Sequence, residues 1–236
     1  MAFLFPGQAS QYVGMGRDIH DQYPHVRQLY EEANDLLEID ITRISFEGPA
    51  ESLKQTQFTQ PAILVHSIAV NYLLSTAGIS PGYVAGHSLG EYSALVAAHS
   101  LNVTDAIKLV RLRSELMHQA GKDQPGTMAV FIGLSPETVD QVCKEASSDH
   151  EPVQPANFNS PEQVAVAGSI PAVKRAIELA KAAGAKRALP IPVSGAFHSV
   201  LMECARTGLA RAVEESSIQD ARVPLIANVT AQSVSN

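Results

Sequence analysis

Hydrophobic residues along this chain alternate between short unbroken runs and helical spacings, a pattern typical of α/β proteins. Apolar runs at 2–5 and 83–85 each end at a glycine-containing turn and predict two buried strands. Between residues 18 and 80 the spacing is helical, and apolar residues three and four apart predict a helix over 23–37. We therefore expect helices that cover a mainly parallel sheet.

Two further helices are predicted from their end signals. Pro61 is expected to open an apolar helix over 62–74, because proline is favoured in the first turn. Thr104 is expected to cap a helix over 105–120 that Gly121 ends. Both helices are long enough to pack along a sheet.

A different order of elements occupies residues 126–195. Strands and helices are predicted there at 127–133, 136–147, 153–158, 163–167, 171–183 and 187–191. The resulting order βαββαβ is that of a ferredoxin-like unit. We therefore expect a small ferredoxin-like domain, 126–195, inserted into a large α/β domain formed by 1–125 and 196–236.

Composition excludes several classes of function. With 45% hydrophobic and 17% charged residues among 236, the chain can bury a large core, and no apolar run is long enough to cross a bilayer. The net charge of −7, with no basic cluster longer than Lys186-Arg187, argues against nucleic acid as a partner. Pro6 interrupts the first apolar run before it could act as a signal peptide, so we expect a cytoplasmic protein. Cys143 and Cys204 are expected to be reduced structural thiols.

The clearest candidate chemistry is the G-x-S-x-G of Gly86, Ser88 and Gly90, between a predicted strand and a predicted helix. This is the pattern of a nucleophile elbow, in which a sharp turn exposes the serine hydroxyl. Glycines two positions either side are needed where strand and helix approach most closely. The same turn directs the amide of Leu89 toward the hydroxyl, at the positive end of the helix dipole.

Arg113 lies near the middle of the apolar face of the helix predicted over 105–120, whereas Arg111 points about 160° away toward solvent. An arginine inside an apolar face needs an anionic partner, because an unpaired buried charge costs several kcal/mol. Periodicity alone leaves two alternatives: a structural ion pair with an Asp or Glu, or a pocket arginine for a substrate carboxylate.

Two other residues follow predicted element ends. His198 lies where the chain leaves the predicted insertion, the position at which a base for Ser88 would be needed. Gln8 follows the end of the first strand, where α/β sheets bind ligands, although its local sequence favours a solvated loop residue.

Taken together, these segments resemble the malonyl-CoA:acyl carrier protein transacylase family, the acyltransferases of fatty-acid and polyketide synthesis. The resemblance covers the whole chain and rests on five segments: Phe5-Pro6-Gly7-Gln8, Gly86-His87-Ser88-Leu89-Gly90-Glu91, Arg113, Asn157-Phe158-Asn159-Ser160-Pro161 and Ala196-Phe197-His198-Ser199. The family fold is a large α/β domain with a ferredoxin-like insertion, in agreement with the element order. Family members normally continue several tens of residues beyond a segment like Leu225–Thr230, so the chain is expected to lack the family's C-terminal end.

The resemblance implies a ping-pong transfer of a malonyl group from malonyl-CoA to the phosphopantetheine thiol of acyl carrier protein. Ser88 would carry the malonyl group and His198 would be its base, with the amides of Leu89 and Gln8 holding the oxyanion. Arg113 would bind the malonyl carboxylate through a bidentate pair. No cofactor beyond the coenzyme A thioester is implied, and a monomer is expected.

Phe197, directly before the candidate base, is the position at which polyketide relatives with phenylalanine select malonyl over methylmalonyl groups. It is therefore expected to contact the substrate. Because no Asp or Glu is an obvious third triad member, the main-chain carbonyl of Asn228 is a candidate for orienting His198. The competing hypotheses are a serine hydrolase, although the chain contains neither the His-Gly nor the Asp-Gly motif of such enzymes, and an inactive acyl-binding protein.

Overall fold

The computed structural model describes residues 1–235, which separate into two compact units. One unit comprises Met1–Glu115 together with the residues from Arg211 onward, and the other comprises Leu116–Ala210. The second unit includes the predicted insertion, 126–195, whose boundaries stay a prediction.

The first unit carries a four-stranded sheet and most of the helices. Its elements are β1 (Ala2–Phe5), α1 (Arg17–Gln22), α2 (Pro24–Leu37), α3 (Ile41–Glu47), α4 (Ala50–Leu53), α5 (Thr56–Thr76), β2 (Tyr83–Gly86), α6 (Gly90–Ala97), β7 (Leu225–Ile226) and β8 (Ser233–Val234). Two helices run from one unit into the other, α7 (Val103–Asp123) and α10 (Glu203–Glu214). The strand order is β1-β2-β7-β8, with β2 parallel to both neighbours and only β8 antiparallel. The expected mainly parallel sheet is confirmed.

The two faces of this sheet differ. Phe5, Val84 and Leu225 are buried on one face, where they pack with alanines of α6. Because side chains alternate along a strand, Leu4 and Tyr83 point to the opposite face, where they are 77% and 54% exposed. The sheet of the first unit thus presents apolar side chains to solvent on one side.

The second unit contains the βαββαβ order expected for it. Its elements are β3 (Gly126–Ile132), α8 (Pro136–Ala146), β4 (Val153–Ser160), β5 (Gln163–Ser169), α9 (Ile170–Ala182) and β6 (Arg187–Ile191), followed by a short 3₁₀ helix (Val200–Met202). The sheet is antiparallel throughout, in the order β4-β5-β3-β6. This is the ferredoxin-like arrangement.

Both faces of the second sheet are covered within its own unit. Phe131, Val164 and Val166 face one side and pack against apolar residues of α8 and α9. Met128 and Ala167, on the other side, belong to a second cluster formed with residues before and after the βαββαβ stretch, among them Met117, Ala120, Ala196, Phe197 and Met202. The central strands β3 and β5 therefore bury apolar side chains on both faces, whereas Phe158 on β4 and Leu189 on β6 are exposed.

Helix α5 begins earlier than predicted, at Thr56, so Pro61 lies inside it. A proline inside a helix has no N–H for the carbonyl four residues earlier, here that of Gln57. The hydroxyl of Ser114 lies 3.4 Å from this carbonyl oxygen but donates to the carbonyl of Arg111 at 2.8 Å. A hydroxyl has one proton, and the shorter bond takes it, so the contact with Gln57 is weak.

The predicted ends of α7 were also wrong. The side chain of Asn102, rather than Thr104, caps the helix by accepting from the amide of Asp105 at 2.8 Å. Gly121 lies inside the helix and does not end it. A Cβ at Gly121 would lie 2.8 Å from the carbonyl oxygen of Ser194, so this glycine permits close approach of two backbone segments.

Both cysteines are free, as expected. Cys143 is buried, and burial raises the pKa of its thiol to about 12, which fits a structural residue. Cys204 is exposed on α10 and does not fit the expected structural role. None of the helices within residues 1–235 is long and apolar enough to cross a membrane.

Candidate active site

Ser88 occupies the turn between β2 and α6, as the nucleophile-elbow pattern predicts. Its φ is +52°, in the left-handed region that costs a non-glycine residue about 1–2 kcal/mol. Such conformations persist only where surrounding contacts hold them, and they concentrate at functional sites.

The glycines around Ser88 are explained by distances across the turn. A Cβ on Gly86 would lie 1.9 Å from the carbonyl carbon of Gly90, and a Cβ on Gly90 would lie 2.2 Å from the carbonyl oxygen of Phe5. At Gly7, a Cβ would lie 2.5 Å from the carbonyl oxygen of His87. All three distances are shorter than real Cβ contacts, so the turn can form only with glycine at these positions.

Leu89 is the N-cap residue of α6, directly before Gly90, and its side chain is buried. Its amide is among the first N–H groups of the helix, which have no acceptor within the helix and lie at the positive end of the dipole. This is the arrangement that binds anions at helix N-termini. The position suits the predicted oxyanion donor, which stays a prediction.

Gln8 lies just beyond β1 and is half-buried. Its side-chain amide donates to the hydroxyl of Thr56, a buried residue at the start of α5, at 3.3 Å. The contact contradicts the solvated loop position favoured by the local sequence. The role of its main-chain amide as an oxyanion donor stays a prediction.

Arg113 is 8% exposed, and its guanidinium lies directly beside the serine. Nη1 donates to Oε1 of Gln60 at 2.6 Å, Nη2 donates to Oγ of Ser88 at 3.0 Å, and the guanidinium carbon is 5.8 Å from the ring centre of Tyr92. Within residues 1–235, no carboxylate forms an ion pair with Arg113. The structural ion pair is thereby eliminated, and a buried positive charge remains beside the candidate nucleophile.

Burial lowers the pKa of Arg113, and the attraction of Tyr92 and Glu91 opposes that shift. An arginine nevertheless stays protonated in proteins, so the group keeps its charge. A carboxylate that approached Ser88 would meet this charge where water competes little, which strengthens a charge-assisted bidentate pair.

Arg111 shows the opposite environment on the same helix. It donates to Glu38 at 2.9 Å, to Glu115 at 3.1 Å and to the carbonyl of Leu36 at 3.1 Å. The hydrogen bonds to the two carboxylates raise the pKa of Arg111. The two arginines therefore differ: Arg111 is already paired with carboxylates, and Arg113 has no carboxylate partner among the residues that the structure describes.

Sequence reasoning missed two polar side chains at this site. Gln60 is 1% exposed and accepts a hydrogen bond from Arg113. The side-chain amide of Asn228 bonds to the backbone of Gly86 and of Ser88, at the two ends of the serine turn. Both contacts join residues more than fifty positions apart, so local patterns contain little trace of them. The one available signal was a polar glutamine within a strongly apolar helix. The predicted role of the Asn228 carbonyl in orienting His198 stays a prediction.

His198 and Phe197 lie in the second unit, between β6 and the 3₁₀ helix. His198 has a φ of +60°. Ser199 fixes the turn, because its hydroxyl donates to the carbonyl of Ala196 at 2.7 Å and accepts from the amide of Leu201 at 3.3 Å. Phe197 is 5% exposed and packs in the cluster that contains Met202. Their roles as base and substrate contact stay predictions.

The arrangement around Ser88 suits acyl transfer to a serine. It combines a hydroxyl on a strained turn, the N-terminus of a helix and a buried cation. Such a cation suits an acyl group that carries a free carboxylate besides its reacting carbonyl. No group of three or more His, Cys, Asp or Glu in the described part of the chain could hold a metal ion.

Comparison with known proteins gives a consistent assignment. The family described as "Acyl transferase domain" matches residues 2–236. The malonyl CoA-acyl carrier protein transacylase of Bacillus subtilis is 46% identical over 231 residues, 98% of this chain and 73% of the relative. That of Escherichia coli K12 is 43% identical over 236 residues, 100% of this chain and 76% of the relative.

Solved structures agree in fold as well as in sequence. The structure of the malonyl CoA-acyl carrier protein transacylase from Coxiella burnetii has a TM-score of 0.95 at 40% identity and covers 100% of this chain and 74% of that one. A malonyl-transacylase in complex with a type II PKS acyl-carrier protein has a TM-score of 0.93 at 43% identity, covering 100% and 76% of the two chains. With this match along its length, the chain belongs to the acyl transferase domain family.

Proposed function

We infer that this protein is an acyltransferase that moves a malonyl group from malonyl-CoA to acyl carrier protein. The observation that carries the proposal is the buried Arg113 guanidinium, 3.0 Å from the Ser88 hydroxyl and not ion-paired with any carboxylate in the described part of the chain. Relatives at 40–46% identity named malonyl CoA-acyl carrier protein transacylase support the same substrate pair.

In the first half-reaction, Oγ of Ser88 attacks the thioester carbonyl of malonyl-CoA while His198 takes its proton. A tetrahedral oxyanion forms, and the amides of Leu89 and Gln8 donate to it; loss of one such donor typically costs about 3–4 kcal/mol. The carbon–sulfur bond then breaks, the coenzyme A thiol leaves with the proton held by His198, and malonyl-Ser88 remains.

In the second half-reaction, the phosphopantetheine thiol of acyl carrier protein loses its proton to His198 and attacks the malonyl ester. A second tetrahedral oxyanion collapses, and the proton returns to Oγ of Ser88. The malonyl group leaves on the carrier thiol. The same donors serve both halves, because each half passes through the same kind of intermediate.

Arg113 selects the acyl group through its charge. The malonyl carboxylate displaces the Ser88 hydroxyl from Nη2 and pairs with the guanidinium, while Gln60 keeps hold of Nη1. An acetyl group has no carboxylate and leaves the buried cation unpaired, which costs several kcal/mol. Arg113 therefore favours malonyl over acetyl thioesters.

The remaining parts of the proposal concern partners and location. The reaction requires no cofactor besides its two substrates, the thioester of malonyl-CoA and the phosphopantetheine thiol of acyl carrier protein. We propose that the protein acts as a monomer in the cytoplasm.

Mass spectrometry of the intact protein after mixing with malonyl-CoA tests the proposal. We expect a mass increase of one malonyl group, located on the peptide that contains Ser88, and no increase in Ser88→Ala. Addition of acyl carrier protein should remove the group and malonylate the carrier. Modification of Cys143 or Cys204, or hydrolysis without transfer to the carrier, would contradict the proposal.

A further inference from the structure

The side chain of Asn228 continues a strand ladder past the point where the strands end. β2 and β7 pair in parallel through Ala85 and Ile226. Two residues beyond Ile226, Oδ1 of Asn228 accepts from the amide of Ser88 at 2.7 Å, and Nδ2 donates to the carbonyl of Gly86 at 2.6 Å. A side-chain amide has the donors and acceptor of a peptide group. Asn228 therefore brackets His87 from both sides, as the next residue of a parallel ladder would.

Asn228 is itself held by the helix that follows the serine. Its backbone amide donates to Oε1 of Glu91 at 2.8 Å, and the amide of Glu91 donates to the carbonyl of Ser88 at 3.1 Å. Glu91 lies in the first turn of α6, where the helix dipole favours a carboxylate. The contacts form a closed loop that runs from Gly86 through Asn228 and Glu91 back to Ser88.

The bonds of Asn228 add to one that the turn makes itself, from the amide of Gly90 to the carbonyl of His87 at 2.9 Å. Ser88 is held at a φ of +52°, and the glycines at 86 and 90 have no side chains to support it. If the backbone relaxed to a negative φ, the Cα–Cβ bond would rotate and carry Oγ away from Arg113 and the Leu89 amide. The hydrogen bond from the Ser88 amide to Asn228 opposes this rotation directly.

The same bond defines which amides are available to an oxyanion. The amide of Ser88 already donates to Asn228 at 2.7 Å. The donors therefore have to come from neighbouring residues, as in the proposed use of Leu89 and Gln8.

We propose that Asn228, anchored by Glu91, is a positioning residue that holds the backbone of Ser88 and thereby aims its hydroxyl. This inference rests on the proposed function in one respect, that Ser88 is the nucleophile. Asn228 acts through Ser88, so its loss lowers the rate of every reaction of that serine while malonyl-CoA still binds. A merely structural residue would instead change stability, and a substrate-binding residue would change KM.

The test compares two reactions of the same serine in the whole chain. Phenylmethanesulfonyl fluoride sulfonylates an activated serine without needing a malonyl pocket, and malonyl-CoA reports the full reaction. For Asn228→Ala we expect both rates to fall about 10- to 100-fold, since a small misplacement of a reacting group costs up to about 10²-fold. KM for malonyl-CoA should stay within about threefold. Val229→Ala, beside it and 95% exposed, should match wild type in both reactions.

Two Glu91 variants provide the rescue. Glu91→Gln retains an oxygen that accepts from the Asn228 amide, so both rates should stay within about threefold of wild type. Glu91→Ala removes the acceptor, and both rates should fall about tenfold. Circular dichroism identifies any variant that fails to fold; if Asn228→Ala is one, the Glu91 pair decides.

The outcomes separate this inference from the proposed function. Wild-type protein that reacts with the sulfonyl fluoride in an Asn228-dependent way, yet takes no malonyl group, supports the positioning role and refutes malonyl transfer. If Asn228→Ala, or in its place Glu91→Ala, reacts with both reagents as fast as wild type, Asn228 does not position Ser88. A change confined to KM would overturn the inference as well.

Discussion

The two sheets of this protein use their strands differently. In the first unit, β2 is four residues long and leads directly into a turn whose serine has a left-handed backbone conformation and whose glycines are in close contact with other backbone segments. The buried Arg113 of α7 lies beside this turn. In the second unit, β3 and β5 are seven residues each, and their side chains alternate regularly between two apolar clusters. The first sheet is organised around the strained turn at one strand end, and the second around its core. Substitutions in the first should therefore change rates, and those in the second should change stability.

His198 is the strongest exception to the rule that substitutions in the second unit change stability, because it is a proposed catalytic residue in that unit. His198→Ala should slow acylation of Ser88 by about 10²- to 10⁴-fold, the usual contribution of a general base. Rapid-quench measurement of malonyl-enzyme formation checks this, with unfolding by urea unchanged. His150→Ala, an exposed histidine of the same unit, is the control. An acylation rate within a few-fold of wild type would remove His198 from the mechanism.

Phe131 tests the other side of the division. It is 0% exposed at the centre of the second unit's larger cluster, so Phe131→Ala should lower the free energy of unfolding by about 3–5 kcal/mol. Urea denaturation followed by circular dichroism measures this, and kcat of the folded variant should stay within about twofold. Phe158→Ala, in the same sheet but 62% exposed, should cost less than about 1 kcal/mol. A kcat that fell with stability would mean that the second core also shapes the site.

Arg113 and Arg111 sharpen the comparison within a single helix. Arg113→Ala should reduce kcat/KM for malonyl-CoA by at least about 30-fold, roughly 2 kcal/mol, and should reduce that for acetyl-CoA much less. Arg111→Ala loses its bonds to Glu38 and Glu115 but should leave both activities near wild type. Steady-state kinetics with both thioesters decides. Equal losses on the two substrates in Arg113→Ala would make that residue structural.

Phe197 should give the smallest effect. If its ring fills the space of a 2-methyl branch, wild-type protein should prefer malonyl- over methylmalonyl-CoA by about tenfold to two-hundredfold, because one methyl group is worth about 1–3 kcal/mol in a hydrophobic pocket. Phe197→Ser should narrow that preference. Met202→Ala, in the same buried cluster, is the control and should leave it unchanged. Equal turnover of the two thioesters by wild type would exclude a gating role for Phe197.

Sequence reasoning identified what depends on local pattern. The strand before Ser88 and the helix after it, the glycines at 86 and 90, and the βαββαβ order all have short-range signatures, and the structure contains them. The placement of Arg113 on a buried face also followed, because helical periodicity requires no knowledge of the partner.

The errors occurred where a local signal competes with a distant contact. Pro61 is a good first-turn residue, yet α5 starts before it, at Thr56, a buried residue whose hydroxyl accepts from the distant side chain of Gln8. Gly121 resembles a helix end but permits contact with the backbone at Ser194. Asn228 bonds to the amide of Ser88, 140 positions away in the sequence, and the periodicity of hydrophobic residues does not predict such a contact.

The exposed face of the first sheet has a practical consequence. Leu4, 77% exposed, and Tyr83, 54% exposed, form part of an apolar surface on the folded chain. Exposed apolar patches promote association and bind environment-sensitive fluorophores. The folded protein should therefore fluoresce with anilinonaphthalene sulfonate before any unfolding, and dye-based melting curves should start from a high baseline. Leu4→Lys should lower that baseline and reduce self-association in concentrated solution.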